Sequence, residues 1–239
     1  MRASFQRFFR QLFSPREKQR VVVVAPVLLI SLVQVFGAMG TPADSLSTGQ
    51  LLSGALSSIA IPTLAIIASL FLNGGGFPVG DLHRPPMPIV QACRIGVAYG
   101  FGMIATLITF TLLQSFVLSR LGIEEGRQVV FTWLESPHYS KFVKSVLVAD
   151  AVLIAPVLEE MMYRGVLFGT MAAHQRHFWL PAWIGGCYFA LMHLHAEAFL
   201  PLLLFSLYTS YAYWKSGRII TPILMHVLYN VTSVLLWIT

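Results

Sequence analysis

A chain of 239 residues in which 56% of side chains are hydrophobic and only 11% are charged cannot clothe a soluble domain of that size, for which about a quarter of the residues are normally charged. A net charge of +6 would point a soluble protein towards nucleic acid, but six basic residues and one acid fall within residues 1–20, so five of those six net charges belong to one short tail. Nucleic-acid binding and soluble folds are thereby set aside, and the expected fold class is all-α, a polytopic helical membrane protein of about seven to eight transmembrane helices.

In chain order, the tail comes first. Phe5, Phe8, Phe9, Leu12 and Phe13 recur at helical spacing while Arg2, Arg7 and Arg10 lie mostly elsewhere on the wheel; Ser4 supplies a cap and Pro15 a stop. This reads as a short amphipathic helix on the cytoplasmic leaflet, attracted to anionic lipid by about 1 kcal/mol per basic residue. It is not a signal peptide, because its basic region is too long and many apolar segments follow.

Spans are expected at Val21 to Met39, Leu51 to Leu72 and Ile89 to Leu118. A turn-rich loop, Asn73 to Pro88, carries Arg84, and a mixed stretch from Arg120 to Lys144 includes an interfacial segment, Val129 to Leu134. Ser145 to Ala173, Phe178 to Leu194, Ala198 to Trp214 and Ile219 to Ile238 complete seven, with an eighth left open. The positive-inside rule places the tail and most basic loops in the cytoplasm. Cys93 and Cys187 sit in apolar runs without metal spacing and read as buried thiols. Three regions follow: the basic tail 1–20, N-terminal transmembrane helices 21–144, and a helical core 145–238.

The few charges left in that core stand out. An ionisable group at mid-membrane costs about 2.5–3.5 kcal/mol on insertion scales and so marks function by default. Within Ala155 to Gly165 (APVLEEMMYRG), Glu160 and Arg164 stand at i, i+4 in the favourable order for a salt bridge. Glu159 points about 100° away and has no local partner. Phe189 and His193 share a face of the next helix, and His226 and Asn230 share one of the last. On regular helices His195 would point away from His193, as a span-end residue, and Asp150 would lie on the face opposite Glu159, as a packing or cavity residue.

Helical rise puts Glu159 and His193 roughly 22–24 Å from their adjoining turn, and His226 and Asn230 roughly 12–18 Å from theirs. The groups therefore converge near mid-membrane, provided that Ser145 to Ala173 is one long helix, which Pro156 can bend. The sequence contains no HExxH, no GxSG and no paired GxGD. A carboxylate, two imidazoles and an amide instead suit a base-activated water with donors for a developing oxyanion.

The motifs EExxxRG (Glu159, Glu160, Arg164, Gly165), FxxxH (Phe189, His193) and HxxxN (His226, Asn230), in this order on successive helices, resemble the CPBP family of intramembrane proteases. This family includes the CAAX prenyl endopeptidases and bacteriocin-processing, Abi-type proteins. The resemblance covers about residues 145 to 235. Gly185 departs from it, standing where many members have a small hydroxyl residue. The resemblance implies that Glu159 and His193 hold and activate water, that His226 and Asn230 stabilise the oxyanion, and that Glu160 and Arg164 brace the site. Glu159, His193 and His226 would also make a zinc set, but they lack a fixed local spacing, so a metal-free, glutamate-type site is favoured over zinc. The implied partners are membrane lipids and a peptide or protein substrate, prenylated or membrane-embedded, in a multi-pass integral membrane protein with a cytoplasmic N-terminus. The alternative is a non-catalytic immunity or transporter-like protein that binds a peptide or lipid in the same polar cavity. The absence of repeated halves and of matching broken helices argues against a transporter.

Overall fold

The computed structural model describes residues 24–29, 46–72, 85–123, 129–175 and 177–238. The expected tail helix, most of the first span and Arg84 with most of its loop lie outside them; of the first span only 24–29 is described, and it is helical. Every regular element among the described residues is helical.

Helix α1 runs over Thr48–Leu72. Its start is a capping box: the Gln50 side chain accepts from the Ser47 amide at 2.8 Å, and Ser47 Oγ accepts from the Gln50 amide at 3.3 Å. Helix α2 is Ile89–Arg120, and a short α3, Val129–Glu135, follows. Next comes a continuous rod, α4, over 141–175. It alternates α-helical Lys141–Ala149, a π segment Asp150–Ile154, α-helical Ala155–Glu160, a π segment Met161–Phe168 and α-helical Gly169–Gln175. Helices α5 (Trp179–Met192), α6 (Phe199–Ser216) and α7 (Ile220–Ile238) complete the bundle.

By length and composition, three helices among the described residues can cross a membrane: Thr48–Leu72, Ile89–Arg120 and Ile220–Trp237; Trp179–Met192 is a shorter apolar helix. The outward faces of α1, α2 and α5 carry Leu64, Phe71, Phe101, Leu112, Phe116, Trp179 and Trp183, all exposed. So much contiguous apolar surface is incompatible with water and suits lipid. The chain is an integral membrane protein.

The packing explains how the rod is held. Helix α2 packs most extensively on α7, and α5 on α6, while the rod touches α1, α5, α6 and α7. Gly96 and Gly100, four residues apart on α2, permit the close approach of α7. A Cβ on Gly96 would stand 2.9 Å from the Thr221 carbonyl oxygen, and one on Gly100 would stand 3.0 Å from Leu228 Cδ1. The main buried cluster joins Met103, Leu107, Met162, Val166, Phe189, Phe205 and Met225, drawn from α2, the rod, α5, α6 and α7.

The rod is where structure departs from a regular helical reading. The Ala155 amide bonds the Asp150 carbonyl, five residues back. The next bond in that register would run from Pro156 to Ala151, and proline has no N–H. Asn230 fills the vacancy from α7, its Nδ2 donating to the Ala151 oxygen at 2.7 Å. A π turn adds a residue to the helix without advancing its face, withdrawing about 100° of rotation. Asp150 and Glu159, expected on opposite faces, are therefore only about 80° apart by the same pitch.

Candidate active site

A cavity of about 970 Å³ opens between the rod, α1, α3, α5, α6 and α7. Its walls carry Glu159, His193, His226 and Asn230, the four residues singled out from the sequence. Glu160 and Arg164 do not line it; they lie behind the wall, fully buried.

Each group is placed by its own element. Glu159 leaves the rod one residue before Glu160, so the two carboxylates diverge, and the Glu159 side chain keeps 30% exposure while that of Glu160 has none. Arg164, one helical turn on, donates from Nη1 to Glu160 Oε1 at 3.0 Å. The same oxygen accepts from His226 Nδ1 at 2.9 Å, a contact between residues 66 apart in sequence. The guanidinium lies 4.6 Å from the Phe189 ring centroid and 5.5 Å from that of Phe205, and its Nε and Nη2 have no hydrogen-bond partner. Ring quadrupoles thus take the place of two donor contacts.

The imidazoles are oriented by these partners. Glu160 can only accept from His226 Nδ1, so His226 Nε2 is the nitrogen that faces the cavity, 3.9 Å from Glu159 Oε2. The Phe205 ring, 4.6 Å away edge to face, holds the His226 ring in that plane. His193 caps the end of α5, with Nδ1 2.8 Å from the Phe189 carbonyl oxygen. A carbonyl accepts only, so Nδ1 carries the hydrogen and a neutral His193 presents an unprotonated Nε2. Asn230 spends one amide hydrogen on Ala151, and an amide nitrogen has two.

Two expectations are corrected. Asp150 lines the same cavity as Glu159, because the π segment rotates it there. His195 also lines the cavity beside His193. The reason is local: α5 stops at Met192, and Leu194 takes the left-handed conformation, φ 51°, which breaks the helical phase between the two histidines. His195 Nδ1 sits 3.1 Å from Glu197 Oε2 and 3.3 Å from the Ala198 amide, at the start of α6.

As placed, the donors do not form a metal set. Among the described residues no three His, Cys, Asp or Glu side chains gather closely enough to hold one ion. His226 is committed to Glu160 on one side, and only one carboxylate contact approaches its other nitrogen. Gly185 leaves its neighbourhood open, the nearest atom to an added Cβ being Met171 Cε at 4.0 Å, so a small hydroxyl residue would fit there.

Two carboxylates, three imidazoles and an amide around one cavity in a lipid-facing helical bundle define the class of the protein: an integral membrane protein with a polar site inside its helical bundle. Residues 141–232 match the family model described as type II CAAX prenyl endopeptidase, Rce1-like, which supports the CAAX-protease (CPBP) family for this part of the chain. The match spans the rod to α7, the elements that carry every site residue named from the sequence. Neither the curated proteins nor the solved structures gave a match.

Proposed function

We propose that the chain is an intramembrane endopeptidase in which Glu159 and His193 hold and activate a water, while His226 and Asn230 receive the charge that develops on the attacked carbonyl. The observation that carries this reading is the convergence of those four side chains on one cavity, with the Glu160–Arg164 pair behind them. Glu159, partly open to the cavity, takes a proton from the water, and the hydroxide adds to the scissile carbonyl carbon. The oxyanion is met by the second amide hydrogen of Asn230 and, when His226 is doubly protonated, by its Nε2–H. The tetrahedral intermediate then expels the amine, which leaves with the proton carried by Glu159.

Glu160 and Arg164 act through position. Glu160 fixes the His226 ring so that Nε2 looks inwards, and Arg164 supplies the positive charge that pairs with Glu160 in an apolar interior. The site works without a resident metal. The substrate is a prenylated or otherwise membrane-embedded peptide, reached from the bilayer, with the basic tail 1–20 on the cytoplasmic side.

The test is a set of variants assayed on membrane peptides. His193→Ala and His226→Ala are each expected to lower kcat by about 10²–10⁴-fold. Asn230→Ala is expected to lower it by a similar factor and also to destabilise the fold, since it frees the Ala151 carbonyl. Activity that withstands chelation in protein free of zinc by elemental analysis supports the metal-free site, and restoration by added zinc alone would contradict it.

A further inference from the structure

Asp150 is not used by the mechanism above, yet the fold invests in it. The π segment turns it into the cavity, and Ser58, reaching from α1, donates to its Oδ2 at 3.1 Å. Its Oδ1 is buried with no hydrogen-bond partner. A carboxylate in an apolar membrane interior is costly unless it is paired, and one hydroxyl hydrogen bond offsets only part of that cost. Among the described residues that line the cavity none is Lys or Arg, so the imidazoles are its only cationic candidates, and Arg164 lies behind the wall on Glu160. A cation arriving with the ligand would complete the pairing of this carboxylate.

We propose that Asp150 is a specificity-determining residue that receives the ammonium or guanidinium of a basic side chain in the bound peptide. The proposal rests on the reading of the cavity as a peptide site. Its position follows from geometry. Nine residues of helix separate Asp150 from Glu159, about 13 Å at α-helical rise and somewhat less through a π turn. An extended peptide advances about 3.3 Å per residue. The basic residue thus lies three to four positions from the bond held at Glu159, and an acidic residue at the same position is rejected by Asp150.

Binding to the Glu159→Gln protein tests this without cleavage. Fluorescent membrane peptides, identical except for Lys, Gln or Glu at one position, are titrated in detergent. The Lys peptide is expected to bind about tenfold or more tighter than the Gln peptide, and the Glu peptide more weakly than either. Adding Asp150→Asn, which keeps the Ser58 contact, is expected to erase the Lys advantage while leaving the Gln peptide unchanged. Acetylating the peptide lysine should erase it with Asp150 intact, a readout independent of how the variant folds. Equal binding of the Lys and Gln peptides, or an advantage that survives either change, would overturn the proposal. Selective binding without cleavage by the unaltered protein would instead uphold the subsite and sink the peptidase reading.

Discussion

Glu160 Oε1 accepts from two cationic-type donors, Arg164 and His226, while Oε2 has no partner. The neighbouring Glu159 carboxylate is the reverse: partly open, with one long contact to His226. Two adjacent residues of one type thus have separate duties, and mutation should divide them. Arg164→Ala strands the Glu160 charge in an apolar interior and is expected to cost about 3–5 kcal/mol of stability, seen as a large fall in melting temperature in detergent. An unchanged melting temperature would show that Glu160 does not depend on Arg164. At this scale the sequence was partly legible. The Glu160–Arg164 pair follows from i, i+4 spacing, but the bond from Glu160 to His226 spans 66 positions and no local rule predicts it. The inward turn of Asp150 and His195 is not legible either, because helical pitch is not uniform across a π turn or a helix end.

Elements translate these local facts into position. The rod is α-helical where it needs length and π-helical around the two stretches that present Asp150 and Arg164, and the proline that leaves Ala151 without a donor is answered by Asn230 on another helix. Asn230 therefore holds the rod to α7 at the depth of the site. The registry of α7 depends in turn on α2, which meets it across Gly96 and Gly100. Gly96→Val would push a side chain into the Thr221 backbone, and the expected cost is about 1–3 kcal/mol, as for overpacking elsewhere. Peptidase activity should fall alongside stability, because Thr221 and His226 ride on one helix. Retention of both in thermal melts and activity assays would show that α2 does not set the position of His226. Helix extents were the most readable feature: α1, α2, α5, α6 and α7 begin and end within a few residues of their expected spans, since long apolar runs bounded by turn residues leave little choice. The π segments have no comparable signature beyond Pro156.

At the scale of the whole molecule, scarcity of charge is what organises the protein. Apolar faces on α1, α2 and α5 meet lipid, so a polar group survives only inside the bundle, where it must find partners. The charged side chains at the core of 141–175 do so with groups from α1 and α7, and the cavity forms where they meet. The class of fold was legible from composition, because lipid accepts few backbone architectures. The number of spans was less so: among the described residues three helices meet the length and hydropathy of a crossing, whereas α5 is shorter and the rod is interrupted by charge.

The account stands on Glu159 as the base. Purified protein and its Glu159→Gln variant, incubated with the same library of membrane peptides, should differ by about 10²-fold or more in cleavage rate, with similar melting temperatures because the side chain is partly exposed and Gln is nearly isosteric. Identical cleavage profiles for the two proteins would contradict the account.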